Sequence, residues 1–566
     1  MPELIEPRSG GKILVDALLH NAVDTVYCVP GESYLPVLDA LHDAHAIRTI
    51  VTRHEGAASN MADAYGKLTG RPGICFVTRG PGATHASNGV HTAKQDSTPM
   101  ILFIGQIESG FKGREAFQEV DYTQMFGGLA KWVTEIDSLE RIPEIVAKAF
   151  SIALSGRPGP VVISLPEEVL FGSGLCLDAS PVRVACAAPV RVACAAPDPA
   201  AMIELRELLR AARKPLVVLG GTGWDAEASR AIKHFVTVNN LPVAASFRRQ
   251  DLFDNRDPHY VGQLGLGISP KLAERLCTTD LLLVIGSRLS ETVSNGYTLI
   301  KSPVPTQPLV HVHPDPQELG RVYQARLPIV SSLRGFAAAL TQLEPLAEQP
   351  WTSWTETARA DYVEHSTPPQ AHPQLVGVDM AHVVAHLNDV LPDDAVISNG
   401  AGNYTVWVHR FYRYRQPGTQ LAPTNGAMGY GFPAAIAAKL RNPERTVVCF
   451  AGDGCFMMYP QELATAMQFG APLVVIVVNN AMLGTIRMHQ EREYPGRVLA
   501  TDLVNPDFVA FARSFGAYGE LVERTEDFAD AFQRARQAGV PALIELSTDP
   551  RQISPQVRLF DGPREH

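Results

Sequence analysis

Two turns in the last quarter of the chain carry residue types that can do chemistry. They are the GDG of Gly452–Gly454 and the paired Asn479 and Asn480, at the two ends of GDGCFMMYPQELATAMQFGAPLVVIVVNN. Glycine on either side of Asp453 lets the backbone turn tightly and come close to a ligand. The spacing predicts a helix over roughly Tyr459–Gln468, so the turn stands at a helix N-terminus, where backbone N–H groups favour an anion. PLVVIVVNN is an apolar run of strand length, suited to a buried parallel strand. Asp453 and Asn480 are then expected together at the carboxyl ends of neighbouring strands. A carboxylate, an amide oxygen and a phosphate are what an oxygen-loving divalent cation such as magnesium requires. Either turn alone is ordinary; the two on these elements point to a metal-bridged phosphate.

The elements that must position these groups alternate along the whole chain. In the first third, TVYCVPG, IRTIVTR, GICFVTRG, PMILFIGQ and GPVVISLP read as strands with helix-spaced segments between them. That rhythm predicts βαβ units in a parallel sheet. The middle repeats it with PLVVLGG, PVAASF, DLLLVIGS and PLVHVHP, and the last third with AVISNG, TVVCFAG, PLVVIVVNN and ALIELST. The expected fold is α/β, with three doubly wound parallel-sheet domains over residues 1–171, 200–346 and 376–566. Residues 172–199 and 347–375 are expected to be linkers. The first holds PVRVACAA twice in succession, too few copies for a solenoid. The second is rich in Pro and Thr.

Composition narrows the classes. A chain of 566 residues, 46% hydrophobic and 19% charged, is an ordinary globular protein too long for one core. A net charge of −10 without basic runs argues against nucleic acid. Apolar runs reach only strand length, so no membrane span is expected. The start, MPELIEPRSGGK, lacks an apolar signal core, and the eight cysteines show no CxxC spacing. A cytoplasmic protein with reduced thiols and no zinc site is the expectation.

GDG followed by NN on these elements resembles the diphosphate and magnesium signature of thiamine-diphosphate enzymes. The resemblance implies Asp453 and Asn480 as side-chain ligands of magnesium, with a backbone carbonyl near Met482 as a third. Gly452, Gly454 and Cys455 would form the turn around the diphosphate. The family also uses a glutamate that begins a helix in the first domain and hydrogen-bonds the aminopyrimidine, favouring the imino form that takes the C2 proton. In RHEGAASNMADAYGKLTGRPG the match is Glu55. Taken alone, Glu55 is a first-turn acid of the kind the helix dipole favours. NGAMGYGFPAAIAA resembles the segment beneath the aminopyrimidine, with Gly426 offering a carbonyl and Met428 an apolar wedge. Methionine elsewhere is more often core filling. ISNGAGNY resembles a second diphosphate-contacting turn, through Gly402 and Asn403.

TRGPGATHASNGV, DSTPMILFIGQ, GREAFQE, SGRPGPVVISLP and NPDFVAFARSFGA resemble the acetolactate (acetohydroxyacid) synthase branch, over nearly the whole chain. In GREAFQE, Phe117 and Gln118 match that branch's active-site phenylalanine and glutamine, although an aromatic there can equally serve packing. LGGTGW, IGSRLSETVSNGY and VHVHPDPQELG resemble its FAD-holding middle domain, with Gly221, Arg288 and Asp315 as contacts. The same domain in other relatives is empty or holds ADP. There are departures. His85 stands where the biosynthetic enzymes usually carry Asn after GPGAT. GTIRMHQ replaces GMVxQW, leaving His489 near the place of the substrate-sorting tryptophan, and GQLGLGI lacks the histidine of GMLGMHG. His85, His91 and His489 are either polar groups around an acceptor or ordinary histidines.

The resemblance implies decarboxylation of a 2-oxo acid, pyruvate first, with thiamine diphosphate and magnesium, followed by carboligation to a second carbonyl. Rivals within the family are a simple 2-oxo acid decarboxylase, a flavin-dependent oxidase and a lyase acting on acyl-CoA. A catalytically silent cofactor-binding relative is the non-enzyme alternative; intact Glu55, Asp453 and Asn480 argue against it. In the family the glutamate and the GDG segment meet across a subunit interface, which implies a homodimer or homotetramer. The sequence is silent on any regulatory subunit.

Overall fold

In the computed structural model, which describes residues 6–179, 183–184, 187–190, 194–371 and 375–559, the chain forms two compact units, Met1–Cys194 and Ala195–His566. The first is built on one sheet of six strands: β1 (Thr25–Cys28), β2 (Arg48–Val51), β3 (Gly73–Val77), β4 (Met100–Gln106), β5 (Trp132–Glu135) and β6 (Pro160–Pro166). All pair in parallel, in the order β2-β1-β3-β4-β6-β5. β3, β4 and β6 are buried along their whole length, which is why they read as continuous apolar runs. Helices α1 (Glu55–Thr69) and α2 (Pro81–Asp96) follow β2 and β3 and pack on one another. Gly89 permits the close approach, because a Cβ there would lie 2.2 Å from Ser59 Oγ.

The second unit contains two more parallel sheets. The central one comprises β7 (Pro215–Leu219), β8 (Val243–Ala245), β9 (Tyr260–Gln263), β10 (Leu281–Ile285), β11 (Leu309–His313) and β12 (Leu327–Val330). Its order, β9-β8-β7-β10-β11-β12, is the 3-2-1-4-5-6 arrangement of dinucleotide-binding folds. The last comprises β13 (Val396–Asn399), β14 (Gln420–Leu421), β15 (Val447–Gly452), β16 (Val474–Asn479), β17 (Tyr518–Val522) and β18 (Ala542–Ser547). Its order, β14-β13-β15-β16-β18-β17, repeats that of the first unit. Three doubly wound parallel sheets were expected and are present. The strands that sequence patterning passed over, β5, β9, β12, β14 and β17, all lie at sheet edges.

The central and last sheets are joined by polar contacts from the segment RRQDLFDN. Gln250 N donates to Gln420 Oε1 (2.7 Å), Gly418 N to Asp251 Oδ2 (2.8 Å), and Tyr414 N to Asn255 Oδ1 (3.0 Å). The expected linker at 347–375 is corrected over most of its length: Thr352–Ser366 is a helix, α3. Thr355, Ala358, Tyr362 and Ser366 recur at helical spacing and are buried. Before them, the buried Trp351 indole N–H donates to the carbonyls of Asn239 and Asn240, both at 3.0 Å. Residues 372–374 and, within the PVRVACAA duplication, residues 181–182, 185–186 and 191–193 lie outside the described residues.

Candidate active site

The carboxyl ends of β13, β15 and β16 open into a cavity of about 300 Å³. β13 and β15 are neighbours that continue to opposite sides of the sheet order, the place where doubly wound sheets take ligands. After β13, Gly402 has φ +142°, and Asn403 is the N-cap of helix α4 (Tyr404–Phe411). Asn403 is tied to the first turn of a further helix, Gly484–Glu493, its N–H and Oδ1 each lying 3.1 Å from Thr485 Oγ1. After β15, Gly452 caps a four-residue helix, Asp453–Phe456. The long helix expected over 459–468 is shorter than that: a 3₁₀ turn at Pro460–Glu462 leads into Leu463–Gln468. Pro460 forces Tyr459 out of helical geometry and supplies no N–H to continue the first helix. Within this turn Gly454 N–H donates to Asp453's own Oδ1 at 2.9 Å.

Asp453, Asn480 and Met482 line this one cavity, as do Gly426 and Met428. Gly426 has φ +73° and open space where a Cβ would point, so the chain exposes bare backbone there. Met428 Cε lies 3.8 Å from where a Cβ on Gly454 would stand, so its side chain reaches over the GDG turn. Cys455 also borders the cavity, its Sγ receiving the Tyr404 hydroxyl (3.3 Å) and Gly429 N–H (3.2 Å). The Asp453 carboxylate is buried, and burial pushes it above the usual carboxylate range. Asn505 and the N–H groups of Gly454, Ala481 and Met482 oppose that shift. Among the described residues no lysine or arginine pairs with Asp453. A carboxylate withdrawn from water, facing a cavity beside a carboxamide and lacking a basic partner, fits a divalent cation.

Sequence reasoning missed Asn505 and Glu545 behind this carboxylate, and assigned Asn479, though singled out in the pair, no role of its own. Asn505 Nδ2 donates to Asp453 Oδ2 (2.8 Å) and to Asn479 Oδ1 (3.0 Å), and Asn479 Nδ2 donates to Glu545 Oε1 (2.7 Å). Asn505 opens NPDFVAFARSFGA, a segment that drew notice only for its family resemblance, and Asp507 in it is the N-cap of Phe508–Ser514.

In the first unit a second group of candidates converges on the turn after β3. Glu55 opens α1, and its Oε2 lies 2.8 Å from His85 Nδ1 on α2. His54 stacks on His85 with ring centroids 4.6 Å apart, and its Nδ1 caps α1 by accepting the Gly56 N–H. Glu55 Oε1 faces Gly82, where a Cβ would be 3.5 Å away. Gln118 adopts a left-handed φ of +65° and packs on Gly80, whose absent Cβ would lie 2.9 Å from its own. Strained residues of this kind cluster at functional sites. Phe117 beside it is 71% exposed, so within this unit it is not a packing residue.

Gly221, Arg288 and Asp315 follow β7, β10 and β11, three adjacent strands of the central sheet, at its own switch point. Gly221 has φ +70° and abuts the Gly286 carbonyl, while Asp315 Oδ1 accepts the Gln317 N–H within its own turn. Of the other histidines, His91 is half-buried on α2. His489 is exposed, with Nδ1 2.9 Å from the Arg492 guanidinium, and is not among the residues lining the cavity.

Comparison with known proteins agrees in all three parts of the chain. Residues 8–125 match the family "Thiamine pyrophosphate enzyme, N-terminal TPP binding domain", 202–343 the central domain and 400–546 the C-terminal TPP binding domain. The acetolactate synthase large subunit of Parasynechococcus marenigrum is 33% identical over 95% of this chain and 87% of its own. The acetolactate synthase isozyme 2 large subunit of Escherichia coli is 31% identical over 96% of each chain. A probable acetolactate synthase large subunit of Methanocaldococcus jannaschii is 30% identical over 97% of this chain and 93% of its own.

Proposed function

Because the chain belongs to the thiamine pyrophosphate enzymes, among relatives of acetolactate synthase large subunits, we propose that it decarboxylates pyruvate and joins the remaining two-carbon unit to a second carbonyl. The observation that carries this reading is the buried Asp453 carboxylate facing the cavity beside Asn480 without a basic partner. Thiamine diphosphate, when bound, supplies a carbon nucleophile and accepts the electron pair left by departing carbon dioxide. Asp453, Asn480 and the Met482 carbonyl would hold magnesium against the diphosphate. The backbone at Gly452, Gly454, Cys455, Gly402 and Asn403 would line the diphosphate, and Gly426 and Met428 the aminopyrimidine. Glu55, one oxygen fixed by His85, would hold the proton exchanged with the aminopyrimidine ring. Phe117 and Gln118 would border the reacting carbonyl, an aromatic and a neutral amide that bring no general acid to quench a carbanion by protonation.

The central sheet supports an FAD site at its switch point through Gly221, Arg288 and Asp315, read by the visible absorption spectrum of the purified protein. No described helix is long and apolar enough to cross a membrane. We extend this to a cytoplasmic homodimer or homotetramer, and relatives named as large subunits point to a smaller partner, which co-purification would reveal. The test of function supplies isotopically labelled pyruvate and follows products together with any flavin spectrum. Acetolactate in excess of acetaldehyde is expected. Free acetaldehyde as the main product would favour a simple decarboxylase, and flavin reduction with acetate an oxidase. Turnover of only another oxo acid or an acyl-CoA would discard pyruvate.

A further inference from the structure

We infer that Asn505 is the positioning residue of the metal centre, holding the Asp453 carboxylate in the orientation in which a divalent cation is taken. The inference rests on the reading of Asp453 and Asn480 as metal ligands. Asn505 belongs to no strand of the sheet. It stands on the connection between the helix Gly484–Glu493 and the helix Phe508–Ser514, 52 residues beyond Asp453. Its amide nitrogen carries two hydrogens, and the two acceptors it meets use both: Asp453 Oδ2 at 2.8 Å and Asn479 Oδ1 at 3.0 Å. The other carboxylate oxygen, Oδ1, accepts the Gly454 N–H at 2.9 Å. Asp453 is therefore gripped from both sides and cannot turn about its Cβ–Cγ bond without breaking a bond. Each oxygen still keeps a lone pair for a cation.

The same amide sorts the two asparagines. Asn479 Oδ1 accepts from Asn505 and from Ala481 N–H (3.0 Å), and its Nδ2 donates to Glu545 Oε1 (2.7 Å). With its carboxamide so committed, Asn479 faces β18, and Asn480, the next residue, is left to face the cavity. A chain of side-chain bonds thus runs from Glu545 on β18 through Asn479 on β16 and Asn505 to Asp453 at the end of β15. The segment carrying Asn505 is itself clamped to the residues around Met482, with Leu483 N bonded to Thr501 O (2.8 Å) and Leu503 N to Ala481 O (2.9 Å). A neutral donor suits this place. A lysine or arginine would occupy the cation's role, and a carboxylate would add charge next to Asp453 and Glu545.

The test measures Mn²⁺ binding, as a magnesium substitute, to the protein with thiamine diphosphate and without substrate, by the electron paramagnetic resonance of free Mn²⁺. Asn505→Ala is expected to weaken Mn²⁺ by about 10–100-fold, the usual effect of removing a group that orients a ligand. Asn505→Leu, which keeps the volume but not the donor, should lose as much and guards against a folding defect in the alanine variant. The loss should appear in the half-saturating magnesium concentration rather than in kcat. In an Asp453→Ala background, Asn505→Ala should cost nothing more, because its effect passes through that carboxylate. Wild-type Mn²⁺ affinity in both Asn505 variants while Asp453→Ala loses it would overturn the inference alone, as would losses that simply add. Wild-type affinity in Asp453→Ala would overturn the ligand assignment itself, and the inference with it.

Discussion

Asp453 and Glu55 are two carboxylates placed in opposite circumstances. Asp453 is buried among neutral donors and faces a cavity; Glu55 has an imidazole on one oxygen and a glycine turn before the other. In the role proposed for it, the first takes a cation that offsets its loss of water. Stripping the protein with a chelator should therefore abolish activity and release thiamine diphosphate on desalting, with recovery only when magnesium and cofactor are both returned. Full activity in metal-free protein would remove Asp453 from the metal. In its proposed role the second carboxylate exchanges an ionisable proton, which a carboxamide lacks. Glu55→Gln should leave cofactor binding intact and slow deuterium exchange at the cofactor's C2 by about 10²–10⁴-fold, the range of general acid–base contributions. Acid-quenched NMR samples measure this directly, and an unchanged exchange rate would sink the role. The placement of both carboxylates could be read from the sequence because each opens a helix after a strand, in a turn whose residue types are unusual together. The contacts of Asn505 could not, because they join residues remote in sequence, Asp453 standing 52 residues before it, and Asn is also an ordinary turn residue.

At the scale of elements, what could be read followed how each strand is covered. β4, β6, β10 and β11 are buried along both faces; β10 spells an uninterrupted apolar run, and the others break theirs only with the buried Gln106, Ser164, His311 and His313. β5 is half-exposed throughout, and β12 alternates buried with exposed positions, so neither stands out from its surroundings. β14 is only two residues long. β5, β12 and β17 carry weak signals because part of each is left to solvent, whereas β9 and β14 are buried but too short to stand out. The helix Thr352–Ser366 was hidden for a different reason: Pro and Thr around it resemble a linker, while its buried stripe of Thr, Ala, Tyr and Ser is only weakly hydrophobic. Its anchor is the fully buried Trp351. Trp351→Ala should destabilise the second unit by about 3–5 kcal/mol, as loss of a large buried aromatic does. It should also open residues 352–366 to limited proteolysis, which the wild type resists. Cleavage there in the wild type would restore the linker reading.

The whole molecule repeats one strand order at both ends and inserts a dinucleotide-type sheet between them, yet the compact units number two, because the segment at 248–255 binds the central sheet to the last. The second unit also holds the histidines that acid should find first. Burial pushes His311 and His409 down, His409 also feeling Arg248, and brings His313 and His365 down to about 4, His365 beside Arg410. In the unfolded chain these side chains protonate at about 6.5. The unfolded state therefore binds more protons below that pH. The stability these groups contribute is fully present above it and is lost as pH falls toward 4. His313, 3% exposed, accounts for about 3 kcal/mol of that loss if its shift is fully expressed. Trp224, Trp351, Trp354 and Trp407 lie in the second unit and only Trp132 in the first, so tryptophan fluorescence follows mainly the second. The urea midpoint seen by fluorescence should fall steadily from pH 7 to pH 4.5, and His313→Gln should flatten the slope by removing one titrating group. A midpoint that held level or rose over that range would mean that these imidazoles gain protons without unfolding, and that burial does not keep them neutral.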